Sequence, residues 1–282
     1  MSNAEIIGNL SGTKLKGVPV AGCLGDRQAA MLGQGCLSPG DINASFGAGC
    51  AMLLNTGEIP VLSTRNLLTT PAFKLGPDAK VFFALEGTIA VAGSAVTWLR
   101  DEMKMIDTPD EIEAIARTVE DTGDTYFVPA FAGLAAPHWG PDARGCIVGM
   151  SQHTNRAHIC RAVLESVCFQ VSEVAAAMQK DAGVDVKALR VDGGMTANDL
   201  LMQLQADVLG VPVYLPVVTE TAAVGAAFAA GIATGVWASP EGARAALSTI
   251  KKTWRPKTTS LHRGARLKRW GDAVKRSLSW AK

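Results

Sequence analysis

Three times in this chain a short apolar run stops at a glycine-bearing turn: Leu24-Gly25-Asp26, Phe46-Gly47-Ala48-Gly49-Cys50 and Val191-Asp192-Gly193-Gly194. Between them, strand-like runs alternate with segments of helical period, which is the pattern of an α/β protein. Val18 to Gly22 reads as a short buried strand, and Asp41 to Asn55 as a hairpin with Gly47-Ala48-Gly49 at its tip. Lys80 to Leu85 reads as a strand with a helix after it from Ile89 to Met105, and Asp110 starts another helix. Thr125 to Phe131 and Gly145 to Met150 read as strands flanking an irregular loop around Trp139. In a long helix from Asn155 to Asp181, Ile159, Ala162, Val163, Ser166, Phe169, Gln170 and Val174 recur three or four apart, as one buried face requires. Ala188 to Val191 is a strand, Asn198 to Leu209 a helix and Val211 to Leu215 a further strand. With 282 residues, 48% of them hydrophobic, the chain is long enough for a large core.

Charge and cysteine exclude several classes. A formal charge of +1 gives no overall pull toward nucleic acid or an anionic membrane. Residues 251–282 are the exception, with eleven Lys or Arg against one acid, Asp272. Leu267, Trp270, Ala273, Val274 and Leu278 fall at helical spacing there, so the segment reads as a terminal helix with a solvated basic face. The alternative is a basic tail for nucleic acid or acidic lipid. The six cysteines form no C-x-x-C pair and no histidine stands at ligand spacing from them, so they read as buried reduced thiols and no metal site is assigned. Met1-Ser2-Asn3-Ala4 has no basic and apolar leader pattern. The uncharged stretch from Thr221 to Pro240 is rich in Ala and Gly, which favours a tightly packed interior helix over a membrane span. A cytoplasmic location is expected.

Glycine where a strand turns lets main-chain N–H groups face an anion, and a helix starting after Gly194 would add its dipole. Such turns suit a nucleotide phosphate chain. Neither G-x-G-x-x-G nor G-x-x-x-x-G-K-[ST] occurs, which disfavours a Rossmann site and a P-loop. Asp26 follows an apolar strand and precedes an Ala-rich helix. There a carboxylate either takes the proton of an attacking hydroxyl or caps the helix. Asp192 orders its turn or approaches a metal-bound phosphate, with the structural role favoured. Asn198 reads a base or ribose, or satisfies local backbone groups.

The order of several segments is more specific than any one turn. These include Gly22-Cys23-Leu24-Gly25-Asp26, Leu67-Leu68-Thr69-Thr70, Ala84-Leu85-Glu86-Gly87, Trp98-Leu99-Arg100-Asp101 and Phe127-Val128-Pro129-Ala130-Phe131. Ala136-Pro137, Ala143-Arg144-Gly145, Val191-Asp192-Gly193-Gly194 and Glu220 to Ala227 follow. The stretch Gly145-x-Ile147-x-Gly149-Met150, then His158-Ile159 and Ala162-Val163-Leu164-Glu165, resembles a family signature. In this order the chain resembles the carboxy-terminal part of the FGGY carbohydrate kinases, and within them the glycerol kinases.

The resemblance implies an actin-like, ribonuclease-H-like fold of two lobes with ATP in the cleft between them. It implies transfer of the γ-phosphoryl group of ATP to a terminal hydroxyl of glycerol, with Mg2+. Residues 1–38 would be a remnant of the amino-terminal domain and residues 39–282 the carboxy-terminal, nucleotide-binding domain. Asp26 falls on the catalytic base and, with Arg27, on the substrate site. Gly47, Ala48 and Gly49 fall on a phosphate loop, Gly93 and Thr97 on the nucleotide pocket, and Gly194 and Asn198 near the adenosine. A homo-oligomer is compatible with the resemblance.

The chain departs from the family pattern at four positions. Arg27 replaces a glutamine, Ala48 a threonine, Ala51 an aromatic residue and Thr97 a glutamine. Arg27 either meets a more anionic substrate or pairs with Asp26 and lowers its basicity. Most of the family's amino-terminal lobe has no counterpart here, so little kinase activity is expected of this polypeptide alone. Another polyol or sugar kinase and a non-catalytic nucleotide-binding module stay open as alternatives.

Overall fold

The computed structural model describes residues 2–12 and 14–281; Met1 of the amino-terminal segment and Lys282 of the basic segment lie outside the described residues. The frame is a seven-stranded sheet. Its strands are β3 (Ile42–Phe46), β4 (Cys50–Gly57), β5 (Leu68–Phe73), β6 (Phe82–Ile89), β9 (Leu189–Asp192), β10 (Val213–Pro216) and β11 (Ile250–Trp254), in the order β11-β10-β9-β3-β4-β6-β5. β3 pairs antiparallel with β4 and parallel with β9, which in turn runs parallel to β10. The sheet thus changes from an antiparallel meander to parallel strands at β3, beside the hairpin tip.

Side chains alternate across the sheet, as a pleated strand covered on both faces demands. Ile42, Ala44, Phe46, Met52, Leu54, Leu85 and Ile89 belong to one buried cluster, while Leu53 and Ala84 belong to a second on the opposite face. The first cluster is closed by α2 (Gly93–Asp101), α3 (Glu111–Ala116), α4 (Arg156–Ala182), α5 (Asp199–Leu209) and α8 (Ser260–Ser277). The second is closed by α1 (Asp26–Gly33), α6 (Thr221–Ala233) and α7 (Pro240–Leu247).

The 27-residue α4 starts one residue after the expected Asn155, which caps it by accepting the Ala157 and His158 amides, and it ends at Gly183 in the left-handed conformation. Buried Glu165 on this helix meets Arg161 at 3.2 Å and, from α8, Arg266. The basic segment is therefore partly neutralised. Arg269 pairs with Asp124 and Lys252 with Asp199, while Trp270, Ala273 and Val274 form the buried face of α8. Leu278 follows the helix and is not on that face.

α6 takes up the first part of the stretch from Thr221 to Pro240, but it buries only one face, with Ala223 and Ala227 exposed, and no helix among the described residues is long and apolar enough to cross a membrane. Its small residues allow backbone-to-backbone packing on α1. A Cβ at Gly225 would lie 2.6 Å from the Ala29 carbonyl carbon and 2.9 Å from the Ala29 Cα, with the carbonyl oxygen closer still.

Five expectations are corrected. The strand near residue 20 is β2 (Pro19–Gly22), but it is mostly exposed, because its sole partner is β1 (Ala4–Asn9) in a two-stranded ribbon and only Ala21 is buried in it. The strand expected at 80–85 continues to Ile89, since pairing with β4 runs on to Cys50. The helix after it is correspondingly short, and ends where the Met103 and Met105 amides turn back onto Trp98 and Leu99. Only a 3-10 turn, Gly194–Ala197, follows the third glycine turn, and α5 begins beyond it. Of the cysteines, Cys36, Cys50, Cys160 and Cys168 are buried as expected, whereas Cys146 is half-buried and Cys23 exposed.

Candidate active site

The sheet's change of direction gathers two of the glycine turns, and the third, at the start of α1, lines the same cavity as the hairpin tip. β3 and β9 run side by side, so the hairpin tip 47–49 and the Asp192-Gly193-Gly194 turn lie at the same end. Gly193 has φ +91°, and there a Cβ would fall 2.7 Å from the Phe46 carbonyl carbon. Glycine is required by both conformation and space.

The hairpin tip is fastened from below. The Ala92 and Ser94 amides donate to the Ala48 carbonyl at 2.9 and 3.0 Å, and the Gly93 amide donates to the Gly47 carbonyl at 3.0 Å. The start of α2 is thus spent on holding this loop. A Cβ on Gly93 would lie 2.7 Å from the Gly47 oxygen, and one on Gly49 would lie 2.6 Å from the Ile89 oxygen. The Ala48 and Gly49 amides themselves donate to no backbone acceptor among the described residues. Gly47 and Ala48 are exposed, so the tip presents main-chain donors outward.

Two cavities of about 490 Å³ each flank this loop. The first is lined by Asp26, Arg27, Gly47, Ala48, Gly49, Ala51, Thr88, Asp192 and Glu220. The second is lined by Gly93, Val96, Thr97, Ile112, Glu113, Leu164, Gly194, Met195 and Asn198. They meet at the Gly193-Gly194 turn. Asp26, Arg27 and the hairpin residues therefore share one cavity, and Gly93, Thr97, Gly194 and Asn198 share the other.

The individual side chains refine the expectations. Asp26 is the first residue of α1, with Gly25 as N-cap, and among the described residues its Oδ1 accepts only the Arg27 amide, at 2.9 Å. The exposed carboxylate is not consumed by helix capping. Arg27 does not pair with Asp26 through its side chain. Its Nη1 donates to Glu86 and to Thr88 Oγ1, at 3.2 Å for the latter. Glu86 offsets the guanidinium charge, so the expectation that Arg27 draws a more anionic substrate loses its electrostatic basis. Asn198 Oδ1 accepts the Leu201 amide at 2.8 Å and so caps α5, while the rest of the residue lines the second cavity.

Asp192 is buried and accepts the Thr221 hydroxyl, which ties β9 to the start of α6. Burial pushes its carboxyl up to about 6. Burial likewise pushes Cys36 up to about 12 and raises Cys50, Cys160 and Cys168, so none of these thiols is a nucleophile at neutral pH.

Sequence reasoning missed the roles of Glu86, Thr88 and Glu113. A charged residue inside the apolar β6 was a signal for Glu86. Nothing in the spacing marked Glu113, which reaches α5 across 86 positions.

The site geometry suits a nucleotide. The open space over Gly194, where an added Cβ would meet nothing within 4 Å, is cavity rather than packing. The hairpin offers unclaimed amides. No group of three His, Cys, Asp or Glu side chains able to hold a metal occurs among the described residues. A cation held by phosphate oxygens, water and one carboxylate fits such a site, as Mg2+ usually does.

Comparison with known proteins shows the family and the fold. Residues 42–234 match the model of the FGGY family of carbohydrate kinases, C-terminal domain. A glycerol kinase of Nocardia farcinica is 51% identical over 99% of this chain and 56% of its own length. One from Brucella anthropi is 50% identical over 99% of this chain and 56% of its own length. The chain thus spans about half the length of the curated relatives it matches. The crystal structure of Plasmodium falciparum glycerol kinase with ADP superposes with a TM-score of 0.93 at 37% identity, covering 98% of this chain and 55% of that one. A gluconate kinase from Lactobacillus acidophilus shares the fold, with a TM-score of 0.83 at 19% identity over 98% of this chain and 56% of that one. The fold is the actin-like one that the resemblance implied, and the chain belongs to the FGGY family of carbohydrate kinases, of which it carries the C-terminal domain.

Proposed function

We propose that this chain is the nucleotide-binding portion of an ATP-dependent glycerol kinase, with Asp26 as the catalytic base. The observation that carries the reading is the convergence of an uncommitted carboxylate and unclaimed main-chain amides on one cavity, with a second cavity beside it for the nucleoside. Asp26 would accept the proton of a primary hydroxyl as that oxygen attacks phosphorus, and Arg27 and Thr88 would orient the acceptor. The Ala48 and Gly49 amides would face the transferring group, where fixed donors stabilise charge at no reorganisation cost. Gly93, Thr97, Gly194 and Asn198 would hold the nucleoside. ATP with Mg2+ supplies the phosphoryl group and neutralises its charge.

In this reading residues 1–38 belong to the amino-terminal domain and residues 39–282 to the C-terminal one, and the enzyme works in the cytoplasm, as a homo-oligomer. The acceptor is a neutral polyol, because Glu86 offsets Arg27 while Asp26 and Glu220 add negative charge to the cavity. A longer polyol or sugar is the second reading, favoured by the small Ala51 in the cavity wall.

The test is a chimera of this chain with the amino-terminal portion of the Nocardia farcinica relative, assayed against a polyol panel. Glycerol should be preferred, and Asp26→Asn should lower kcat by about 10²–10⁴-fold. Undiminished turnover in that variant refutes the role of Asp26, and a strong preference for a pentulose refutes glycerol.

A further inference from the structure

α5 does not offer its N-terminus to a ligand. Glu113, on α3, accepts the Asp199 amide at 3.0 Å and the Leu200 amide at 3.2 Å. Asn198 takes the next amide, that of Leu201, through Oδ1, and the Met202 amide returns to the Asn198 carbonyl at 3.2 Å. All four amides of the first turn are therefore satisfied within the chain. Arg117 holds the Glu113 carboxylate from the other side at 2.6 and 2.9 Å.

α3 and the turn that leads into α5 both line the second cavity. Ile112 and Glu113 come from α3, Met195 from the 3-10 turn and Asn198 from the cap of α5. α3 is only six residues long, too short to fix its own position by helix stability. Its apolar anchors are Ile112 and Ala116, which are buried. The polar tie from α3 to the start of α5 is the Glu113 carboxylate.

We propose that Glu113 is a positioning residue for nucleotide binding: its carboxylate latches α3 to the first turn of α5, sets the width of the nucleoside cavity and fixes Asn198 within it. The proposal rests on the nucleotide reading of that cavity. It also gives the nucleotide a direction. With the α5 amides closed by Glu113, the phosphates are left the hairpin at Gly47–Gly49, and the nucleoside takes the latched cavity.

Binding of ADP with Mg2+ to this chain, measured by calorimetry, tests the latch. Glu113→Ala should weaken ADP about tenfold, because both amide contacts of the latch are lost and only part of that loss is felt at the nucleoside. Added acetate should restore most of that loss in the variant and leave the wild type unchanged, because a free carboxylate can reoccupy the two amides. Glu113→Gln, which keeps the shape and one acceptor oxygen, should fall between. Hydrogen exchange at the Asp199 and Leu200 amides should quicken in both variants while β3 and β4 stay protected. Unchanged ADP affinity in both variants, or a loss that acetate does not reverse, overturns the latch. Absence of ADP binding to the wild type instead overturns the nucleotide reading, and slow exchange at Asp199 and Leu200 in Glu113→Ala would still overturn the latch by itself.

Discussion

Replacing Gly225 by alanine tests how closely the α1–α6 contact constrains the site. In an uncrowded helix interior the change would stabilise by about 1 kcal/mol, since glycine costs that much in backbone entropy. Here the new Cβ would stand 2.6 Å from the Ala29 carbonyl carbon, against the 3.4 Å of ordinary contact. Both partners are helix backbone and the Ala29 oxygen is closer still, so relief means parting α1 from α6 by more than about 1 Å. Overpacking of this kind costs about 1–3 kcal/mol, and the rigidity of two backbones puts it at the upper end. After the propensity gain the net loss is about 2 kcal/mol, or roughly 5 °C in Tm for a chain of this size.

Gly264 in α8 is the control, because a Cβ there would meet nothing within 4 Å. Gly264→Ala should stabilise by about 0.5–1 kcal/mol through propensity alone. Urea denaturation of both variants decides the matter. A neutral or stabilising Gly225→Ala would refute the packing argument. In the chimera the same variant should also lose activity, because α1 carries Asp26 and a displacement of about 1 Å near reacting groups costs on the order of 100-fold.

Three further outcomes are expected. Arg266→Ala leaves Glu165 buried with one partner fewer and should destabilise the fold by about 3–5 kcal/mol in urea titrations; a change below about 1 kcal/mol would show that Arg161 suffices. Asp192 binds its proton more tightly in the folded than in the unfolded chain, so its contribution to stability is fully present below about pH 4 and lost as pH rises through about 6. The stability of Asp192→Asn relative to wild type should therefore grow between those two pH values, and a flat difference would refute the shift. Gly93→Ala presses on the Gly47 carbonyl 2.7 Å away and should weaken ADP binding about tenfold by displacing the hairpin; wild-type affinity would show that the loop tolerates the crowding.

Much of the site was legible because its parts are local. Gly47-Ala48-Gly49 and Asp192-Gly193-Gly194 close apolar runs, and a turn that needs positive φ or close backbone approach must be written in glycine. The small residues of α6 were legible for the same reason, since only they allow the observed approach to α1. The ordered motifs carried the family. Less legible were the exposure of β2 and the length of β6, because both depend on what pairs with and covers a strand, not on its own residues.

What the sequence alone determined, then, was the class of the fold, the position of its turns and an acidic residue held at the start of a helix. Only the tertiary structure decided that Arg27 turns to Glu86 and Thr88 rather than to Asp26, that the turns divide between two cavities, and that Glu113 closes the start of α5. The physical reason is range. A turn or a cap is set by residues a few positions apart, whereas the partner of a charge is whichever group the folded backbone brings within about 3 Å, and spacing along the chain does not encode that.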